Sequence, residues 1–168
     1  MTAVATQSSN PADELPLVSA LPVEHLFDMH VNLQPGQPIS TAVGNRMTFI
    51  TTSGVIHGPK LRGEILPGGG DWLLVGSDGI GRVDVRATIR THDEALIHYE
   101  TRGIIKIPAD GLARLAAGEV LPFEETYVRT TPHFETADAR YAWLSEVLAV
   151  GYNVLSPNHI DYRIYRVL

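Results

Sequence analysis

The chain has 168 residues and no cysteine. That absence rules out disulfides, thiolate nucleophiles and thiolate metal sites together. No apolar run is long enough to cross a membrane as a helix. The first residues, MTAVATQSSNPADELP, have neither the basic start nor the apolar middle of a signal peptide. Basic stripes are missing too: 13 Lys and Arg against 19 Asp and Glu leave a formal net charge of −6. Without such a stripe there is nothing to neutralise phosphates, which argues against nucleic acid as a partner. These absences lead to an expectation of a cytoplasmic protein that engages neither nucleic acid nor membrane.

Several catalytic signatures are also missing. No Gly-x-Ser-x-Gly elbow presents a serine nucleophile. The turn Gly68-Gly69-Gly70-Asp71 is followed by neither Lys-Ser/Thr nor a helix, so it is not a phosphate loop. Its glycines suit a tight corner where backbone crosses backbone. Seven histidines are present, but no His-x-His pair with a following acid and no His-Glu-x-x-His helix. His25 and His30, five apart on a strand, read as lying on opposite faces. The spacing predicts no metal, and nothing in the chain calls for a cofactor.

What is present is ordinary globular material, 44% hydrophobic and 19% charged, patterned as strands. Residues 1–21 begin small and polar and read as a flexible lead-in; residues 22–168 read as one domain. In HLFDMHVNL, Phe27, Met29, Val31 and Leu33 alternate with Asp28, His30 and Asn32, a half-buried strand. Gln34 to Pro38 reads as a loop. Strands are expected over 46–52, over 55–65 with a break at Gly58-Pro59, and over 72–75, 82–91 and 96–107. Helix-like pieces are confined to 108–120, capped by Asp110, and 139–144. Strands resume over 123–135, 146–155 and 159–167. Turn signals near every ten residues indicate an antiparallel β-barrel, closed because closure removes exposed edges, of about eight strands.

The segments GPKLRGEILPGGGDW, VDVRATIRTHD, YVRTTPHFET, YAWL and DYRIYRV together resemble the family known as domain of unknown function 3237, also UPF0311. The resemblance spans Pro22 to Leu168. It implies an antiparallel β-barrel with an internal cavity, and no settled function. One position departs from it. The family often has Asp-Gly at the hairpin turn, where this chain has Asp93-Glu94. A two-residue primed turn would force positive φ on a non-glycine residue at a cost of about 1 kcal/mol. Either the turn is longer or the loop has drifted.

A two-residue loop at Asp93-Glu94 would pair Arg86 with Thr101 and Thr88 with Tyr99, placing all four on one face. On that register the Arg86, Thr88, Tyr99 face is expected to line the lumen; the alternative is a solvated outer face. Arg129, on the same parity as Tyr127, would complete an anion clamp with Arg86. Asp71 is the candidate general base, Tyr99 or Tyr127 the acid, and Trp72 a plug or ligand shelf at the barrel mouth. Three functions fit: a cofactor-free lyase, hydratase, isomerase or cyclase acting on a small carboxylate or aromatic molecule; a non-catalytic binder of such a ligand; or a homo-oligomeric scaffold. A carboxylate and a phenol at one cavity favour the enzyme, and a filled lumen favours the scaffold.

Overall fold

A computed structural model describes residues 18–168, so most of the expected lead-in lies outside the described residues. Ten strands and one α-helix are present there. The strands are β1 (Val23–Leu33), β2 (Gln37–Thr41), β3 (Gly44–His57), β4 (Gly63–Ile65) and β5 (Gly70–Val75), then β6 (Gly81–Thr91), β7 (Leu96–Lys106), β8 (Tyr127–Glu135), β9 (Ala149–Leu155) and β10 (His159–Val167). They pair in the order β1-β10-β9-β8-β7-β6-β4-β3, and β1 pairs again with β3, so the sheet closes on itself. β5 shares the place of β4 by bridging β3 and β6, and β2 is a flap hydrogen-bonded to β3. The result is the expected closed antiparallel barrel of eight staves with two extra strands. No helix among the described residues is long and apolar enough to cross a membrane.

Several elements differ from the sequence reading. β2 lies partly where a loop was expected; Pro38 is tolerated because β2 is an exposed edge strand paired on one side only. β3 runs unbroken from Gly44 to His57, because Gly54 lets β1 and Ile65 approach: a Cβ there would sit 2.9 Å from the His30 carbonyl. The expected 108–120 helix shrinks to α1 (Gly111–Ala116), and Asp110 precedes it without a side-chain cap bond. The piece near 139–144 is a 3₁₀ turn over Ala142–Glu146.

Inward residues on alternate positions fill the barrel. β6 contributes Val83, Val85, Ala87 and Ile89, β7 Ile97 and Tyr99, β1 Phe27, Met29 and Val31, and β10 Tyr162 and Ile164, all buried. Phe134 packs edge-on against Phe27 and tilted against Tyr99, with ring centroids 5.9 and 5.6 Å away. A satellite core of Leu121, Val128 and Leu155 lies under α1 with Ile107 and Leu115. A β-bulge between His25 and Phe27 shifts β1 by one residue. It turns His25 to the same outer face as Asp28 and His30, which corrects the opposite-face reading.

Candidate functional site

The β6–β7 hairpin decides which residues can meet in the lumen. Thr91 pairs with Ala95 across a three-residue loop, and Glu94 takes φ 69°. Asp93 pays for that strained residue with contacts: it accepts from the Thr91 hydroxyl (2.6 Å), the Tyr141 hydroxyl (2.8 Å) and Arg140 Nη1 (2.8 Å). The longer loop moves the register by one. Val85 now faces Thr101, Ala87 faces Tyr99, and Arg86 faces Glu100. A one-residue slip exchanges faces, so Tyr99 and Thr101 point inward while Arg86 and Thr88 point out.

Asp71, Tyr99 and Tyr162 point inward and meet at one cavity. Asp71 sits opposite Val85 and shares its inward face. The triple glycine makes this placement sterically feasible: a Cβ on Gly70 would lie 2.3 Å from the Phe49 carbonyl, and one on Gly69 2.5 Å from that of Arg86. Asp71 is buried, and its Oδ1 accepts the Asp84 backbone N–H at 3.1 Å. Burial lifts its pKa to about 6; the Asp84 N–H opposes that rise, and the Asp84 charge adds slightly to it. At neutral pH the carboxyl is therefore mostly ionised and weakly basic. Tyr99 is fully buried, and its hydroxyl, beside that of Thr101, makes no hydrogen bond of good geometry. Burial raises the pKa values of Tyr99 and Tyr162, and for Tyr162 the nearby Tyr99 and Asp71 add to the effect. The cavity these residues share is about 20 Å³, enough for one water; Thr51 also lines it, and the rest of its wall is mostly apolar, with Met29, Leu33, Val85 and Ile160. Thr101, Thr130 and Asn153 also present buried side-chain oxygens with no partner.

The other expected site residues lie outside the barrel. Arg86 pairs with Asp84 at 3.2 Å and sits 5.9 Å from the Trp72 ring. Trp72 is 37% exposed on the outer wall, neither plug nor lumenal shelf. Arg129 stacks over Phe123 and Tyr127, 4.6 and 4.9 Å from their centroids, and donates to the Val128 carbonyl. Tyr127 is 50% exposed. The lumenal arginine clamp is thus corrected: both guanidiniums face away from the cavity, and no Lys or Arg is buried among the described residues. Of the seven residues singled out by sequence, Asp71 and Tyr99 converge. Tyr162 was missed, although the alternation Ile160, Tyr162, Ile164 carried its inward parity. On the outer wall, His30, His159 and Asp161 come together with side-chain donor atoms all within 4.8 Å of one another.

Fold and site define a closed antiparallel β-barrel with a small, mostly apolar interior that holds a few unpartnered polar groups. The chain matches the family model of proteins of unknown function DUF3237 over residues 21–167 and belongs to that family. A UPF0311 protein of Clostridium acetobutylicum is 31% identical over 125 residues, 74% of this chain and 79% of that protein. One of Rhodopseudomonas palustris is 28% identical over 125 residues, 74% and 82% of the two chains. Among solved structures, a β-barrel-like protein of Acinetobacter baumannii superposes with a TM-score of 0.75 at 30% identity, covering 90% of this chain and 99% of that one. An enzyme from Penicillium herquei superposes with a TM-score of 0.66 at 21% identity, covering 92% and 100%, a likeness of fold alone.

Proposed function

We propose that the cavity around Asp71, Tyr99 and Tyr162 is a small-molecule site, and that the barrel works there as a cofactor-free enzyme of the lyase, hydratase, isomerase or cyclase type. One observation carries the reading: a buried carboxyl, Asp71, shares one mostly apolar cavity with the buried phenol of Tyr99, whose hydroxyl makes no hydrogen bond of good geometry. An unpartnered buried hydroxyl costs about 1–3 kcal/mol, a cost that a ligand oxygen would remove. In the proposed cycle Asp71 takes a proton and Tyr99 or Tyr162 donates a hydrogen bond or proton to developing oxyanion charge.

The absence of a buried cation among the described residues changes the ligand class. A carboxylate ligand would find no buried counter-charge beside Asp71, so the site suits an uncharged molecule with carbonyl and hydroxyl groups. A cavity of about 20 Å³ does not hold such a molecule until its rim moves. Met29, with three free torsions, and the half-buried Leu33 and Ile160 are the side chains able to give way. The small volume also favours a second reading, a filled barrel that serves as a self-associating scaffold.

Thermal-shift titration with neutral hydroxylated aromatics and ketones, alongside carboxylates, tests the proposal on the wild type and on Tyr99→Phe and Asp71→Asn. Stabilisation of the wild type by neutral compounds, weakened in Tyr99→Phe, supports the site. Turnover lost by 100-fold or more in Asp71→Asn with binding retained supports the enzyme. If no compound shifts the wild type and the protein self-associates at micromolar concentration, the scaffold reading takes its place.

A further inference from the structure

The outer wall carries a second arrangement that the barrel interior does not explain. His30 on β1 and Asp161 on β10 are directly opposed across the strand pair, and His159 lies two residues before Asp161, opposite Asn32. His30 Nδ1 is 2.7 Å from Asp161 Oδ1, and His159 Nε2 is 3.4 Å from Asp161 Oδ2. The two imidazole rings lie 4.5 Å apart. We propose that His30, His159 and Asp161 bind a divalent transition-metal ion of the zinc class.

The geometry supports this in three ways. First, a tetrahedral ion with bonds of about 2.0–2.1 Å holds its donors about 3.3 Å apart. The three donor atoms already fall within 4.8 Å of one another, so side-chain torsions alone can close the site, without moving a strand. Second, the charge of Asp161 is not consumed elsewhere. The nearby guanidinium of Arg163 is committed to Asp28, at 2.8 and 3.0 Å, and the partners of Asp161 among the described residues are the two histidines. Third, two imidazoles and one carboxylate leave a coordination position open, the ligand count of metal sites that take water or substrate. His30 and Asp161 border a surface groove of about 420 Å³, also lined by His57, Tyr152 and Arg163, from which such a fourth ligand could come. The sequence hides the set because His30 comes from β1 and the other two from β10, His30 and Asp161 being 131 residues apart.

The test uses untagged protein stripped with chelator and titrated calorimetrically with ZnCl₂. One equivalent per chain is expected, with His30→Ala and His159→Ala each weakening affinity more than about tenfold. His57→Ala, in the same groove but outside the trio, should stay within about twofold. Affinity should follow the order Cu²⁺ above Zn²⁺ above Mn²⁺, with Mg²⁺ silent. Circular dichroism confirms that the surface variants fold, and anomalous diffraction at the zinc edge locates the ion. The proposal is overturned if the wild type binds less than a fifth of an equivalent, if the His30→Ala/His159→Ala double variant binds as tightly as wild type, or if the anomalous peak lies away from these three side chains.

Discussion

The two faces of the barrel wall treat polar groups in opposite ways. On the outer face charges find partners: Arg163 with Asp28, Arg90 with Glu64, Arg82 with Asp78, and Arg140 with Asp93 and Asp138. On the inner face Tyr99, Thr101, Thr130 and Asn153 have buried oxygens without one; on the outer face Asp84 Oδ1 lacks a hydrogen bond but has Arg86 at 3.2 Å. Exposed ion pairs contribute about 0–1 kcal/mol each, so the outer pairs are inexpensive to make or lose. An unpartnered oxygen in a low-dielectric interior is a persistent cost. Stability alone would replace Tyr99 by phenylalanine, so the polar interior points to a role beyond folding.

The largest expected effect comes from emptying the interior. Phe134→Ala removes the ring between Phe27 and Tyr99 and should lower stability by about 3–5 kcal/mol in chemical denaturation. A loss below about 1 kcal/mol would mean that the lumen is loosely packed, and the contrast with the outer face would fail.

Next comes Asp71. Its folded pKa of about 6 lies above the unfolded value of about 3.9, so the folded state holds its proton more tightly. That relation favours folding below pH 4 and withdraws stability as pH rises through 6, by about 3 kcal/mol in all. Asp71→Asn should therefore unfold at a higher temperature than wild type at pH 8, with the advantage vanishing below pH 4. Asp78 and Asp138 are held down near 2 by Arg82 and Arg140 and act in the opposite sense in a lower window. They are common to both proteins and cancel in the difference. Parallel pH profiles for wild type and variant would show that Asp71 is not desolvated.

Tyr99→Phe should raise stability by about 1 kcal/mol, since it removes a buried hydroxyl that makes no hydrogen bond of good geometry, the Thr101 hydroxyl being its polar neighbour. A destabilised variant would reveal a partner for the hydroxyl, and the case for a ligand contact would fall with it. A smaller gain, about 1 kcal/mol or less, is expected of Glu94→Gly, which relieves the one non-glycine positive φ among the described residues. The smallest effect belongs outside: Arg163→Ala should cost no more than about 1 kcal/mol, and that cost should shrink in 1 M salt.

How much of the candidate site was legible follows from these positions. Asp71 was readable because the Gly68-Gly69-Gly70 run marks a backbone crossing and Asp71 is the next polar residue. Tyr99 was identified for the right lumen on the wrong face-mates. The alternation of β6 and β7 is plain in the sequence, but alternation has two parities, and the loop decides between them. The arginines followed the wrong parity out of the lumen. His159 and Asp161 share a strand face at i, i+2, but nothing local ties them to His30, 131 residues before Asp161.

The sequence by itself determined that this chain is an antiparallel barrel, and separately five of its segments carried the resemblance to the DUF3237 family. Period-two alternation, turn residues and the absence of long helical patterns are local properties, and local properties select strands and hairpins. Only the tertiary structure decided which side chains meet. A three-residue turn at His92, Asp93 and Glu94, held by Thr91, Arg140 and Tyr141, moved the hairpin by one residue and exchanged its faces. Closure of β1 on both β10 and β3 then joined the two ends of the chain. Both events depend on contacts between distant residues, and a strand carries no record of which neighbour it will find.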